Sequence, residues 1–108
     1  MYKLIFYVPS ENSEKVKSEI FETGAGSIGN YSHCSWETNG IGQFLPLEGA
    51  NPTLGAIGEI EKVEELRVEI LCQKENIALA VEALKNSHPY EEPAFEIISV
   101  LNYNDIIN

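Results

Sequence analysis

Apolar and polar positions alternate at the start of the chain. Tyr2, Leu4, Phe6 and Val8 fall on one face, and Lys3, Ile5 and Tyr7 on the other. A period of two predicts a strand over 2–8, and Pro9 ends it. The period then lengthens. Val16 and Ile20 lie four apart with Phe21 beside them, which predicts a helix running to Thr23. Ser10 is placed to cap its start, Glu11 and Lys15 form an i,i+4 pair, and Gly24 is the glycine expected just past its end. Tyr31 to Thr38 alternates again as a strand. Asn39-Gly40 predicts a tight hairpin, with Ile41 to Leu45 returning. Leu66, Val68, Ile70 and Cys72 share a face opposite Arg67 and Glu69, so 63–72 reads as a strand. Ile77, Val81 and Leu84 recur at helical spacing over 75–87, and His88-Pro89 stops that helix. Phe95 to Leu101 reads as the last strand.

The order is β-α-β, a hairpin, then β-α-β. This predicts an α+β fold, a ferredoxin-like split β-α-β sandwich with an extra β-hairpin, as one domain over 1–108. A chain of 108 residues buries roughly two-thirds of its unfolded surface, so it needs no staple. Cys34 and Cys72 have no metal-knuckle spacing and read as reduced cysteines in or near the core. All eight glycines lie between Gly24 and Gly58, a stretch with no lysine or arginine. A low-charge, loop-rich middle is therefore flanked by charged, regular segments.

The net charge of −10 repels phosphate backbones and anionic lipid, so neither nucleic acid nor membrane is an expected partner. No apolar run is long enough to cross a bilayer and no signal-peptide pattern opens the chain, so the expected location is cytoplasmic. No catalytic triad or phosphate-binding loop can be traced. Gly24 and Gly26 follow a helix rather than open one, and 49–58 contains no GK[ST].

One segment concentrates candidate chemistry. His88, Tyr90, Glu91 and Glu92 are held between Pro89 and Pro93, which stiffen the turn. A histidine beside carboxylates can bind a divalent cation or transfer a proton, with His88, Glu91 and Glu92 as candidate metal ligands. A plain structural turn, with His88 at a helix C-terminus, is the competing reading. His33 is a second candidate ligand residue. On a strand it would share a face with Glu37 while Cys34 points away. Trp36 reads as a packing residue or interface anchor.

Several motifs in one order resemble a known family. They are Gly24-Ala25-Gly26-Ser27-Ile28-Gly29-Asn30-Tyr31, Ser32-His33-Cys34-Ser35, Gly40-Ile41-Gly42-Gln43-Phe44, Gly49-Ala50-Asn51-Pro52, Gly58-Glu59-Ile60-Glu61, Glu65-Leu66-Arg67-Val68-Glu69 and the run from His88 to Phe95. Together they are similar to the domain inserted in the middle of the Nif-three-like proteins. That inserted domain looks like the PII and CutA proteins, and the run from His88 to Glu91 also resembles CutA. The resemblance implies a homo-oligomer, a trimer as first guess, with ligand clefts between subunits. It leaves the cofactor open, with a divalent metal ion as the candidate, and admits a protein partner. The two-metal site of the longer members belongs to flanking domains whose ligands have no counterpart here. The resemblance therefore implies a non-catalytic binding or regulatory module, with CutA-like metal binding and an accessory role to a metal-dependent hydrolase as alternatives.

Overall fold

Residues 1–107 are described by the computed structural model. β1 (Tyr2–Pro9) and β3 (Glu61–Cys72) form the centre of a four-stranded sheet, with β2 (Trp36–Phe44) and β4 (Phe95–Ser99) at its edges, in the order β2-β3-β1-β4. Every pairing is antiparallel. α1 (Ser13–Phe21) and α2 (Ile77–Ser87) pack on one face, and a short α3 (Tyr103–Ile107) follows β4. This is the ferredoxin-like split β-α-β arrangement that the alternating periods predict.

The core follows from the periodicities. Leu4, Phe6 and Val8 from β1 meet Leu66, Val68, Ile70 and Cys72 from β3, and Val16, Ile20, Ala80 and Leu84 of the helices close over them. Burying each large aliphatic or aromatic side chain contributes about 1.5–3 kcal/mol, so this helix-on-sheet layer is the main source of stability. Lys17, rather than Lys15, makes the helix's ion pairs. Its ammonium meets Glu14 and, at 2.7 Å, Glu37 of β2, which fastens α1 to the edge strand.

Three local expectations are corrected. The residues from Tyr31 to Ser35 are irregular, with a single bridge joining Tyr31 to Ile28. Asn39-Gly40 is not a turn. Neither residue takes a positive φ, and β2 runs straight through them, pairing Asn39 with Leu66 and Gly40 with Glu65. A long ladder against the central strand β3 makes more hydrogen bonds than two short arms folded on each other. The chain reverses instead in the loop 45–60, where Gly49, Gly55 and Gly58 adopt the left-handed backbone. The first helical turn at Ser10–Asn12 is 3₁₀, with Pro9 rather than Ser10 before it.

The register shows a projecting arm. β1 covers β3 only as far as the Pro9–Glu65 pair, yet β2 and β3 stay paired out to Phe44–Glu61. Beyond Glu65 the sheet is a two-stranded ribbon. The radius of gyration is 15.4 Å and the long axis 53 Å. A compact domain of this length has a radius of about 13 Å.

Gly24 and Gly26 steer the chain from α1 toward β2. Gly24, at φ +95°, lies three residues past the last helical one, with its N–H on the Phe21 carbonyl. Gly26 is tighter. It has φ +79°, its N–H bonds the Leu71 carbonyl at 2.8 Å, and a Cβ there would lie 2.9 Å from the Cys34 carbonyl oxygen. Backbone cannot retreat as a flexible side-chain tip can. Gly26→Ala is therefore expected to cost about 1–3 kcal/mol. Thermal denaturation checks this, and an unchanged Tm would refute the placement.

Candidate functional site: the cleft beside the 88–93 turn

His88 follows α2 with φ −71° and ψ 140°, the extended conformation that a residue before proline adopts. Its side chain points inward and is 7% exposed. Nε2 lies 2.6 Å from the Tyr7 carbonyl oxygen, and Nδ1 lies 3.1 Å from the Tyr90 backbone N–H. A carbonyl can only accept and an amide N–H can only donate. The ring is therefore neutral, with its proton on Nε2. It ties the end of β1 to the turn.

The Tyr90 ring packs on the His88 ring, with centroids 4.9 Å apart, and on Phe44 of the arm at 6.1 Å. Its hydroxyl is buried without a hydrogen-bond partner of good geometry. Burial, followed by the neighbouring Glu65 carboxylate, raises its pKa far above the usual phenol range and keeps it protonated. Glu65 lies over Gly42 of the facing strand. A Cβ on Gly42 would come 2.8 Å from Glu65 Cδ and closer still to Oε1, so the bare glycine is what admits the carboxylate.

The turn also holds the arm's loop. Thr53 Oγ1 donates to the Pro89 carbonyl at 2.7 Å, and the Asn51 N–H donates to Glu91 Oε1 at 3.1 Å. Between arm, turn and sheet lies a cleft of about 720 Å³. Phe44, Leu45, Leu47 and Leu54 supply much of its apolar wall, while Tyr7, Glu65, Arg67 and the 90–92 segment supply polar groups. That size suits a small organic ligand.

The structure brings His88, Tyr90, Glu91 and Glu92 to one turn but divides their roles. Tyr90, Glu91 and Glu92 line the cleft, whereas His88 sits behind it. His88, Glu91 and Glu92, the expected metal ligands, are not grouped around one point in this structure. Both His88 nitrogens are committed to backbone groups, and among the described residues no three His, Cys, Asp or Glu side chains are grouped to hold a metal ion. His33 is elsewhere. It is not on a strand, takes φ +59°, and stacks on Phe21 at 4.8 Å. The Gly26–Leu71 and Cys34–Gly26 hydrogen bonds place that loop by the far end of β3, six residues from Glu65 and so about 20 Å from the cleft. Cys34 and Cys72 are free thiols, Cys72 in the core. Glu65, Arg67, Tyr7 and Gly42 are cleft residues that pattern reading missed. The available signal was Arg67, the chain's one arginine, on a strand otherwise rich in glutamate.

Comparison with known proteins places this geometry. No family model matches the chain. The GTP cyclohydrolase 1 type 2 homolog of Mycobacterium tuberculosis is 50% identical over 99 residues, and that of Bacillus subtilis 46% over 98 residues. The crystal structure of a Bacillus cereus protein related to NIF3 superposes with a TM-score of 0.81 at 36% identity over 94% of this chain. This chain matches one domain-length segment of the Nif-three-like proteins. It spans about a quarter of those relatives, 26% in each of these three cases. Archaeoglobus fulgidus CutA, described as a periplasmic divalent cation tolerance protein, aligns with 99% of the chain at a TM-score of 0.70 and 19% identity, which shows the shared fold. Among the described residues no helix is long and apolar enough to cross a membrane.

The buried imidazole generates a pH dependence. Burial, the largest influence, lowers the pKa of His88 below its ordinary 6.5, although the Tyr7 carbonyl and Glu65 oppose it. The unfolded chain thus takes up this proton more readily. The stability that neutral His88 contributes is present above pH 6.5 and is lost as pH falls through the lower folded value. Between pH 7.5 and 5 the wild-type Tm is expected to fall more steeply than that of His88→Gln, by melting curves in matched buffers. Parallel slopes would contradict a buried neutral His88.

Proposed function

We propose that this chain is a homo-oligomeric binding module without catalysis of its own, in which the cleft takes a small ligand and the arm meets further copies. The projecting ribbon carries this reading. A two-stranded ribbon is marginal alone in water, yet this one exposes Ile41, and the loop at its tip exposes Leu47, Ile57 and Ile60, each of the four 47–73% open to solvent. Trp36, 61% exposed, begins the same edge strand. β2 offers its unpaired edge with only one charge, Glu37, along its length. Sheet edges left long and apolar are pairing surfaces. A trimer is the first expectation, from the likeness to CutA.

The binding half of the proposal rests on the cleft and on what His88 does. The residue best suited by type to move a proton is consumed in a structural tie, while the groups that reach the cleft are recognition groups. The chain spans about a quarter of the relatives whose name carries an activity, and the bonding of both His88 nitrogens to backbone groups favours recognition of a small ligand over metal binding.

Sedimentation velocity tests the assembly. A single discrete species larger than one chain is expected at micromolar concentration. Ile57→Asp with Ile60→Asp is expected to shift it toward monomer while far-UV circular dichroism is unchanged. A wild-type monomer would overturn the oligomer.

A further inference from the structure

The cleft's charge and its walls together restrict what it can hold. Four acidic or basic side chains other than tyrosine line it: Glu65, Glu91, Glu92 and Arg67. Three are carboxylates. The one cation is already engaged, since Arg67 Nε lies 3.4 Å from Glu69 Oε2, a carboxylate on the same strand and face. Behind the cleft, His88 carries no charge to offset the acids, because both its nitrogens are committed. Tyr7, on the wall, has its hydroxyl on the Glu96 carboxylate at 3.2 Å, which adds another acid beside the site. The Tyr90 hydroxyl, buried and without a well-aligned partner, stands next to Glu65. The remaining wall is apolar, from Phe44, Leu45, Leu47 and Leu54. The whole lies in a molecule of net charge −10.

We infer that the ligand of this cleft is an organic cation, an amine carried on an apolar body, and not a nucleotide or other phosphate. The inference rests on the binding reading above and specifies its ligand class. The apolar body fits against Phe44 and the leucines, and the ammonium reaches Glu65 and Glu92, with Glu91 held nearby by Asn51. A phosphate brought here would meet three carboxylates and one shared guanidinium. Fields focused in a cleft with low-dielectric walls act more strongly than on open surface.

The test compares probes of one shape and different charge on the full chain at pH 7: phenylbutylammonium, phenylbutanol, phenylbutyrate and, separately, GTP. Binding is read from amide chemical shifts of Gly40, Gly42, Tyr90 and Glu91. The cation is expected to bind at least about fivefold tighter than the alcohol. The preference should shrink with added salt, and phenylbutyrate and GTP should leave the cleft amides unmoved. Glu65→Gln with Glu92→Gln should abolish the preference and leave the alcohol's binding in place, which also shows that the fold survives. Equal binding of cation and alcohol would overturn the inference and leave the binding reading standing. Tighter binding of phenylbutyrate or GTP would overturn it outright. Cleft amides that respond to none of the probes would overturn it and take the binding reading with it.

Discussion

One histidine side chain decides the shape of the functional end of this molecule. His88 receives a hydrogen bond from the Tyr90 N–H and gives one to the Tyr7 carbonyl. Remove the ring and a part-buried carbonyl and a part-buried amide both lose their partner, each costing up to about 1–3 kcal/mol. The turn from Pro89 to Pro93 would lose its attachment to β1. The loop 45–60 would then lose its anchor, because Asn51 and Thr53 bond Glu91 and Pro89 and not the sheet. The cleft exists because these links are made in series: strand to imidazole, imidazole to turn, turn to loop.

A second constraint is absence of bulk. Gly42 leaves room for Glu65 to fold back over the arm beside Tyr90, and Gly26 lets the chain pass against Cys34 on its way into β2. These two glycines differ in what a methyl group would do. At Gly42 the obstacle is the tip of a flexible side chain, so the fold can adapt while the carboxylate is displaced. At Gly26 the obstacle is backbone, and the fold must yield. The glycine-rich middle is thus partly scaffold and partly site.

Strong periodicity made most of the fold legible from residues alone. β3, α1 and α2 bury one face each, β1 buries one face and Ile5 on the other, and burial imposes a repeat that can be read. β2 carries no such repeat because seven of its nine residues lie open in the single chain, with only Gly42 and Phe44 partly covered, so the local Asn39-Gly40 signal prevailed where ladder pairing to β3 decides. α3 was missed since its five residues face no core. In the site, the crowding of His88, Tyr90, Glu91 and Glu92 between prolines was visible as unusual. Which of them faces inward was not, because that depends on Tyr7, 81 residues away. Glu65 and Arg67 join the cleft only through sheet register, a long-range property that no local window contains.

The nitrogen-15 chemical shifts of the His88 ring at pH 7, recorded before and after adding zinc, test the central claim most directly. The account predicts a neutral imidazole with its proton on Nε2 and both nitrogen resonances unmoved by the metal. A ring protonated on Nδ1, a charged ring, or resonances shifted by zinc would contradict the structural tie and return His88 to the role of a ligand.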